Sequence, residues 1–198
     1  MDEEIKLHLS RDPVMKKLLD KFSIKEYWGQ QSNYFLDLLE IVTGQQLSIK
    51  AAKSIFNRLL SLYQNTPTPK EIIDTPAETL RSVGLSNSKV LYVKNIAQAI
   101  EDNKINPDSF EALSDEEIAS QLLEIKGVGP WTVEMFLIFT LHRPDIFSIG
   151  DLGIRSAIEK LYGISRNDRD AILRQSEDWR PYRTHACRLL WMSLDNAG

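Results

Sequence analysis

Apolar residues recur at three- and four-residue intervals along the chain. Phe35, Leu38, Leu39 and Val42 form one such series, and Ile49, Ala52, Ile55, Phe56, Leu59 and Leu60 form another. This is the period of a helix with one buried face, and no stretch keeps the alternation of a half-buried strand. The pattern predicts an all-α fold. The 9 glycines and 8 prolines fall mainly between the periodic segments, as at Asn65-Thr66-Pro67-Thr68-Pro69, which is expected to end a helix. Ser114 followed by Glu117 has the spacing of a capping box, and Thr75-Pro76 with Glu78 predicts a further helix start. Leu80 to Leu85 and Leu123 to Val128 echo each other. Each is expected to close a helix at a glycine in the left-handed conformation, with an apolar residue straight after it.

Composition narrows the class. A chain of 198 residues, 42% hydrophobic and 26% charged, can build a packed core in one domain or two tightly joined lobes. Lys plus Arg is 24 and Asp plus Glu is 28, a net charge of −4. That balance excludes a polycation that holds phosphate by bulk charge, and leaves room for a local basic face. Residues 44–70 carry Lys50, Lys53, Arg58 and Lys70 without an acid, and residues 79–100 carry Arg81, Lys89 and Lys94 likewise. Such runs are usually solvated helix faces. A single cysteine, Cys187, leaves no partner for a disulfide and no thiolate set for zinc or an iron–sulfur cluster. His8, His142 and His185 stand apart, without metal-ligand spacing. The acidic N-terminus and the lack of a long apolar run fit a soluble intracellular protein with no membrane span.

The most informative stretch is Leu122-Leu-Glu-Ile-Lys126-Gly127-Val128-Gly129-Pro130-Trp131-Thr132. A helix is expected to end at Gly127 and a new one to open at Pro130, where the missing N–H breaks no intrahelical bond. Two glycines allow a sharp turn and present backbone N–H groups at a helix N-terminus, which suits a phosphate oxygen. Lys126 adds charge beside them, and Val128 is expected to pack between the two helices. Downstream, Asp151 heads a helical run from Leu152 to Leu161, a place where an Asp is most often simply an N-cap.

Gly127-Val-Gly129-Pro-Trp-Thr132, followed by Asp145-Ile-Phe-Ser-Ile-Gly-Asp151-Leu-Gly-Ile-Arg155, resembles the helix-hairpin-helix DNA glycosylases with their Gly/Pro-rich loop and Asp. The similarity is greatest to the DNA-3-methyladenine glycosylase II branch. Gly44-Gln45-Gln46-Leu47-Ser48-Ile-Lys-Ala-Ala52 and Trp179-Arg-Pro-Tyr-Arg183-Thr-His-Ala-Cys-Arg-Leu-Leu-Trp191 agree with it, so the matched segments run from about residue 35 to 192.

The resemblance implies a two-lobed helical body, a middle lobe of about 40–149 with the two chain ends forming the other, and Asp151 at their junction. It implies Asp151 as the catalytic carboxylate, and Trp131, Met135 and Trp191 as the pocket for a flipped base. The plainer reading of both tryptophans is a place in the core, most of all for Trp191 in its apolar run, and Met135 stands where some relatives have an aromatic ring. Gln46 matches the residue that fills the gap left by the flipped nucleotide, with Gln45 and Ser48 touching the minor groove beside it. A polar helix N-terminus is the plainer reading of Ser48. Lys126, Gly127, Val128, Gly129 and Thr132 form the backbone clamp. Lyase-competent members carry a Lys two positions after the second hairpin glycine, where this chain has Trp131, so a monofunctional glycosylase is expected. No cofactor is expected, although the hairpin carbonyls could hold a monovalent cation, as in some relatives. The implied partner is double-stranded DNA with a damaged base. The protein is expected as a monomer, in the cytoplasm or nucleoid of a prokaryote or the nucleus of a eukaryote. Three readings compete: a glycosylase for a deaminated or mismatched base, a non-catalytic hairpin module, and a helical scaffold for protein partners.

Overall fold

The computed structural model describes residues 1–24 and 33–195, and among these there are helices and no strand. Two compact units divide the chain: Gln31–Leu141, and Met1–Gln30 together with His142–Gly198. The division falls at Leu141, so the loop leading to Asp151 belongs with the terminal unit and not with a middle segment running to about 149.

In the middle unit, α3 (Tyr34–Gly44) is the central element and packs against α4 (Ile49–Leu60), α7 (Asn87–Glu101) and α9 (Pro130–Phe139). Its buried Phe35, Leu38, Leu39 and Val42 form a single stripe, as the periodicity requires. Burying each such side chain stabilises by roughly 1.5–3 kcal/mol relative to leaving it exposed. Asn33 caps the helix, its side chain accepting from the Leu36 N–H at 3.1 Å. Phe110, on the short 3-10 turn Pro107–Ala112, meets Phe136 edge to face with ring centroids 5.4 Å apart.

The smaller helices are set by their caps. α8 (Asp115–Leu123) carries the expected Ser114/Glu117 capping box, with reciprocal bonds of 3.2 and 2.8 Å. A second box, Thr68/Glu71, opens α5 (Pro69–Asp74), so the Thr66–Pro69 stretch starts a helix eight residues after α4 has ended. Thr75 does not start α6 (Ala77–Ser82). Its hydroxyl donates to the Glu71 carbonyl at 2.7 Å, which closes α5, and Pro76 sits at the N-cap without a side-chain bond. Gly84 and Gly127 both adopt positive φ, 106° and 107°, as the echo between their segments predicts.

The terminal unit is built from α1 (Glu3–Leu9), α2 (Pro13–Lys21), α10 (Leu152–Tyr162), α11 (Arg169–Glu177) and α12 (Arg183–Asp195), with α12 packed on α10 and α2. Trp179 is fully buried. Its indole N–H and the Tyr162 hydroxyl both donate to Asp12 Oδ2, at 3.0 and 2.8 Å, while Asp12 Oδ1 caps α2. Burial and the Asp12 carboxylate push the Tyr162 phenol far above its ordinary value.

Candidate functional site

The hairpin lies in the middle unit. α8 ends at Leu123, four residues before Gly127, and the turn is closed by the Ile125 N–H to Leu122 O at 3.1 Å and the Val128 N–H to Ile125 O at 2.9 Å. Gly127 is required twice over: its φ is positive, and a Cβ there would overlap the Tyr92 ring. Val128 and Ile125 are buried, and Lys126 is exposed. Gly129 is the N-cap of α9, with no side-chain cap bond, and Pro130 follows in the first turn. A ten-residue helix thus begins at a cap that carries no side chain of its own, with Gly129 half-buried and Pro130 exposed.

Side chains from two other elements fix this turn. Gln45, just after α3, donates its amide N–H2 to Gly127 O at 3.1 Å and to Thr132 Oγ1 at 2.8 Å. Gln45 is therefore an internal tie of the hairpin. Thr132 is buried at 1% exposure, so its hydroxyl serves the same tie. Three α7 residues complete the frame, and the sequence reading missed them. Asn95 donates to Lys126 O at 2.9 Å, Tyr92 covers Gly127, and Lys89 Nζ donates to both Thr43 O and Gln45 O at 2.8 Å. Burial lowers the Lys89 pKa. Residues 89, 92 and 95 recur at helical spacing on one face of α7, but nothing in the sequence says which loops that face will meet.

Gln46 lies in the left-handed region at φ 58° and is exposed. A non-glycine residue there costs roughly 1–2 kcal/mol and calls for a reason. Leu47 and Ile49 beside it are exposed at 40% and 79%. Ser48 caps α4, accepting from the Ala51 N–H at 3.3 Å, so the plainer reading of Ser48 is the geometry seen. Trp131 is half-buried on α9 and Met135, one turn on, is buried.

Asp151 lies in the terminal unit. It is the N-cap of α10, and its Oδ1 accepts from the Ile154 N–H and from the Trp191 indole N–H, each at 2.9 Å. The resemblance implies a base-pocket role for Trp191, and no local pattern in the sequence marks this bond, which joins residues 40 positions apart. Two N–H donors on one oxygen fix the plane of a half-buried carboxylate. A fixed carboxylate can oppose positive charge developing on a nearby atom, or orient a water.

Among the described residues no group of three or more His, Cys, Asp or Glu could hold a metal ion. The hairpin carbonyls of Ile125, Lys126 and Gly127 each accept an N–H from within the protein. A monovalent cation would have to share them. No helix is long and apolar enough to cross a membrane, among the described residues.

Residues 39–181 match the HhH-GPD superfamily base excision DNA repair protein family. The chain is 41% identical over 159 residues to DNA-3-methyladenine glycosylase 1 of Schizosaccharomyces pombe, covering 78% of this chain and 70% of that one. It is 29% identical to the DNA-3-methyladenine glycosylase of Saccharomyces cerevisiae, over 92% of this chain and 76% of the yeast protein. The S. pombe 3-methyladenine DNA glycosylase Mag1, solved in complex with abasic DNA, superposes with a TM-score of 0.89 at 35% identity, covering 98% of both chains.

Proposed function

Because the chain belongs to the HhH-GPD superfamily of base excision DNA repair proteins, we propose that it is a DNA-3-methyladenine glycosylase. It takes an alkylated purine out of duplex DNA by flipping the nucleotide and hydrolyses the N-glycosidic bond with the help of Asp151. The observation that carries this reading is the Asp151 carboxylate itself, which lies within the matched span and is fixed at the head of α10 by two N–H donors.

The chemistry follows from that carboxylate. Cleavage of the C1′–N bond sends its electron pair to the base and builds positive charge on the sugar. A purine alkylated at a ring nitrogen is already cationic and departs neutral, so no strong general acid is needed. The Asp151 carboxylate stabilises the charged sugar and orients the water whose oxygen adds at C1′. The water's proton passes to the carboxylate and on to solvent. A flat aromatic face attracts a cationic base by roughly 0.5–2 kcal/mol. Trp131, Met135 and Trp191 are the residues that the family resemblance assigns to such a base.

The grip on DNA is assigned to the hairpin and the α3–α4 loop. The Gly127–Gly129 turn and the first turn of α9 receive a phosphate, with Lys126 beside them. Gln46 fills the gap left by the flipped nucleotide, which accounts for an exposed glutamine held in a costly conformation. Gln45 and Thr132 act by holding the hairpin. The reading needs no cofactor, describes a monomer, and puts the protein wherever the cell keeps its DNA. With Trp131 where lyase-competent relatives carry Lys, the enzyme is monofunctional. Borohydride should trap no covalent complex with damaged DNA, and trapping would overturn that assignment.

The deciding measurement is single-turnover base release from duplexes carrying 3-methyladenine or 7-methylguanine, wild type against Asp151→Asn. The amide preserves shape and removes charge. Release is expected from wild type and should fall by about 10²–10³-fold or more in the variant while DNA binding survives. Wild type that binds DNA yet releases neither base would overturn the alkylpurine reading, and a panel of deaminated bases would then separate another lesion from a plain DNA clamp.

A further inference from the structure

One face of α12 is bonded along the loop that delivers Asp151. Arg183, Cys187 and Trp191 recur every fourth residue, with Thr184 beside Arg183. Arg183 donates from Nε to Asp145 Oδ1 at 2.7 Å, and from Nη2 to Asp145 Oδ2 at 3.1 Å and the Asp145 carbonyl at 2.8 Å. Thr184 bonds the same loop three times. Its hydroxyl donates to Arg143 O at 2.6 Å and accepts from the Ile146 N–H at 3.0 Å, and its own N–H donates to Pro144 O at 3.0 Å. Cys187 Sγ lies 3.8 Å from Ile146 O. Trp191 then reaches Asp151 at the loop's end. Gly153 leaves the room for this last contact, since a Cβ there would stand 3.0 Å from Asp151 Oδ1 and 3.3 Å from the Trp191 ring.

We propose that this face of α12 is a positioning device for the Asp151 carboxylate and that Trp191 is its positioning residue, acting through the indole N–H. The inference rests on the glycosylase reading above. A carboxylate on a loop has two free torsions. The bond to the Ile154 N–H ties one oxygen to the backbone, and a second donor on a separate rigid helix fixes the plane. A displacement of about 1 Å at a reacting group can cost on the order of 10²-fold in rate. Thr184 is 3% exposed, and its hydroxyl is spent on loop backbone, so it acts on Asp151 only through the loop.

Trp191→Phe separates the two roles of the tryptophan, because it keeps an aromatic face and removes the N–H. Thr184→Val removes the hydroxyl from the loop. The expected result is a fall of about 10- to 100-fold in single-turnover release for Trp191→Phe, with binding to DNA carrying an abasic-site analogue within about threefold of wild type. Thr184→Val should act in the same direction, and the double variant should lose less than the product of the two, since both displace one carboxylate. If Thr184→Val does not fold, Trp191→Phe alone decides. An independent reading comes from ¹⁵N-indole labelling. The chain has 4 tryptophans, so the Trp191 signal is the one missing in Trp191→Phe. That signal should move in Asp151→Asn. A Trp191→Phe enzyme that keeps more than about half its rate, or that loses DNA binding and not rate, would overturn the proposal, as would an unmoved indole signal. Wild type without release of either base would overturn the alkylpurine reading, while the indole signal would still decide the pair.

Discussion

At the scale of single residues, the hairpin's two glycines have different reasons to be there. Gly127 combines a φ of 107° with the Tyr92 ring against its Cα, so Gly127→Ala meets both backbone strain and a steric clash. It should destabilise by about 2 kcal/mol or more, read as a lower urea midpoint. Gly129 has φ −111° and nothing within 4 Å of an added Cβ. Gly129→Ala should leave the midpoint unchanged and still weaken DNA binding, because the methyl would stand on the surface assigned to phosphate. Equal unfolding losses for the two variants would contradict this division. Gln46 is the third case. Its left-handed backbone suits glycine, so Gln46→Gly should keep or slightly raise stability, by less than about 1 kcal/mol, while base release falls. Retained release would remove Gln46 from the DNA-facing set.

At the scale of elements, the legible part of the fold was the part written locally. Apolar stripes gave the helices, and the Ser114/Glu117 box appears where its three-residue spacing placed it. Thr75 failed the same test because its hydroxyl had a nearer acceptor, the Glu71 carbonyl one turn back, a competition that spacing alone does not reveal. Contacts across long separations were illegible. Gln45 meets Thr132 87 positions away, and no local pattern marks either as a partner. Gln45→Leu should therefore cost about 1–3 kcal/mol by leaving the Gly127 carbonyl and the Thr132 hydroxyl unpaired, and the loss should show in urea unfolding before any DNA is added. The capping boxes carry a pH signature. Bonds from the Thr68 and Ser114 backbone N–H groups, and then from their hydroxyls, hold the Glu71 and Glu117 carboxyls below the ordinary value of 4.5 in the folded chain. The folded state thus binds those protons less tightly than the unfolded state. Their contribution is full above pH 4.5 and is lost as pH falls through 4.5 toward the lowered values. Glu71→Gln with Glu117→Gln should flatten the stability slope in that acid window and leave the slope above it unchanged. Urea midpoints from pH 6 to 3 would test this, and an unaltered acid slope would count against it.

At the scale of the whole molecule, the question is how a chain of net charge −4 holds a polyanion. Much of its basic charge is committed internally. Arg58, Lys89 and Lys94 donate to the carbonyls of Val83, of Thr43 and Gln45, and of Ile73. Arg180 and Arg183 pair with Asp145, and Lys70 with Asp74. The basic run at 79–100, whose plainest reading from composition is a solvated helix face, is thus largely a set of ties between helices. Exposed cations on the elements assigned to DNA are fewer: Lys50 and Lys53 on α4, and Lys126 in the hairpin. Each neutralised phosphate contributes about −0.9 to the log–log salt slope. Three or four would lower affinity only about 10²-fold between 50 and 200 mM salt. The slope should therefore be shallower than about −6, with the remaining affinity supplied by hairpin N–H groups, the inserted Gln46 side chain and the flipped base, none of which releases a counterion. Lys126→Ala should reduce the slope by about 1 and weaken damaged and undamaged duplexes alike, since a phosphate contact carries no information about the base. A steeper slope would mean that cations now tied to carbonyls turn outward on DNA, and a Lys126 effect confined to damaged duplexes would move that lysine from the backbone clamp to lesion recognition.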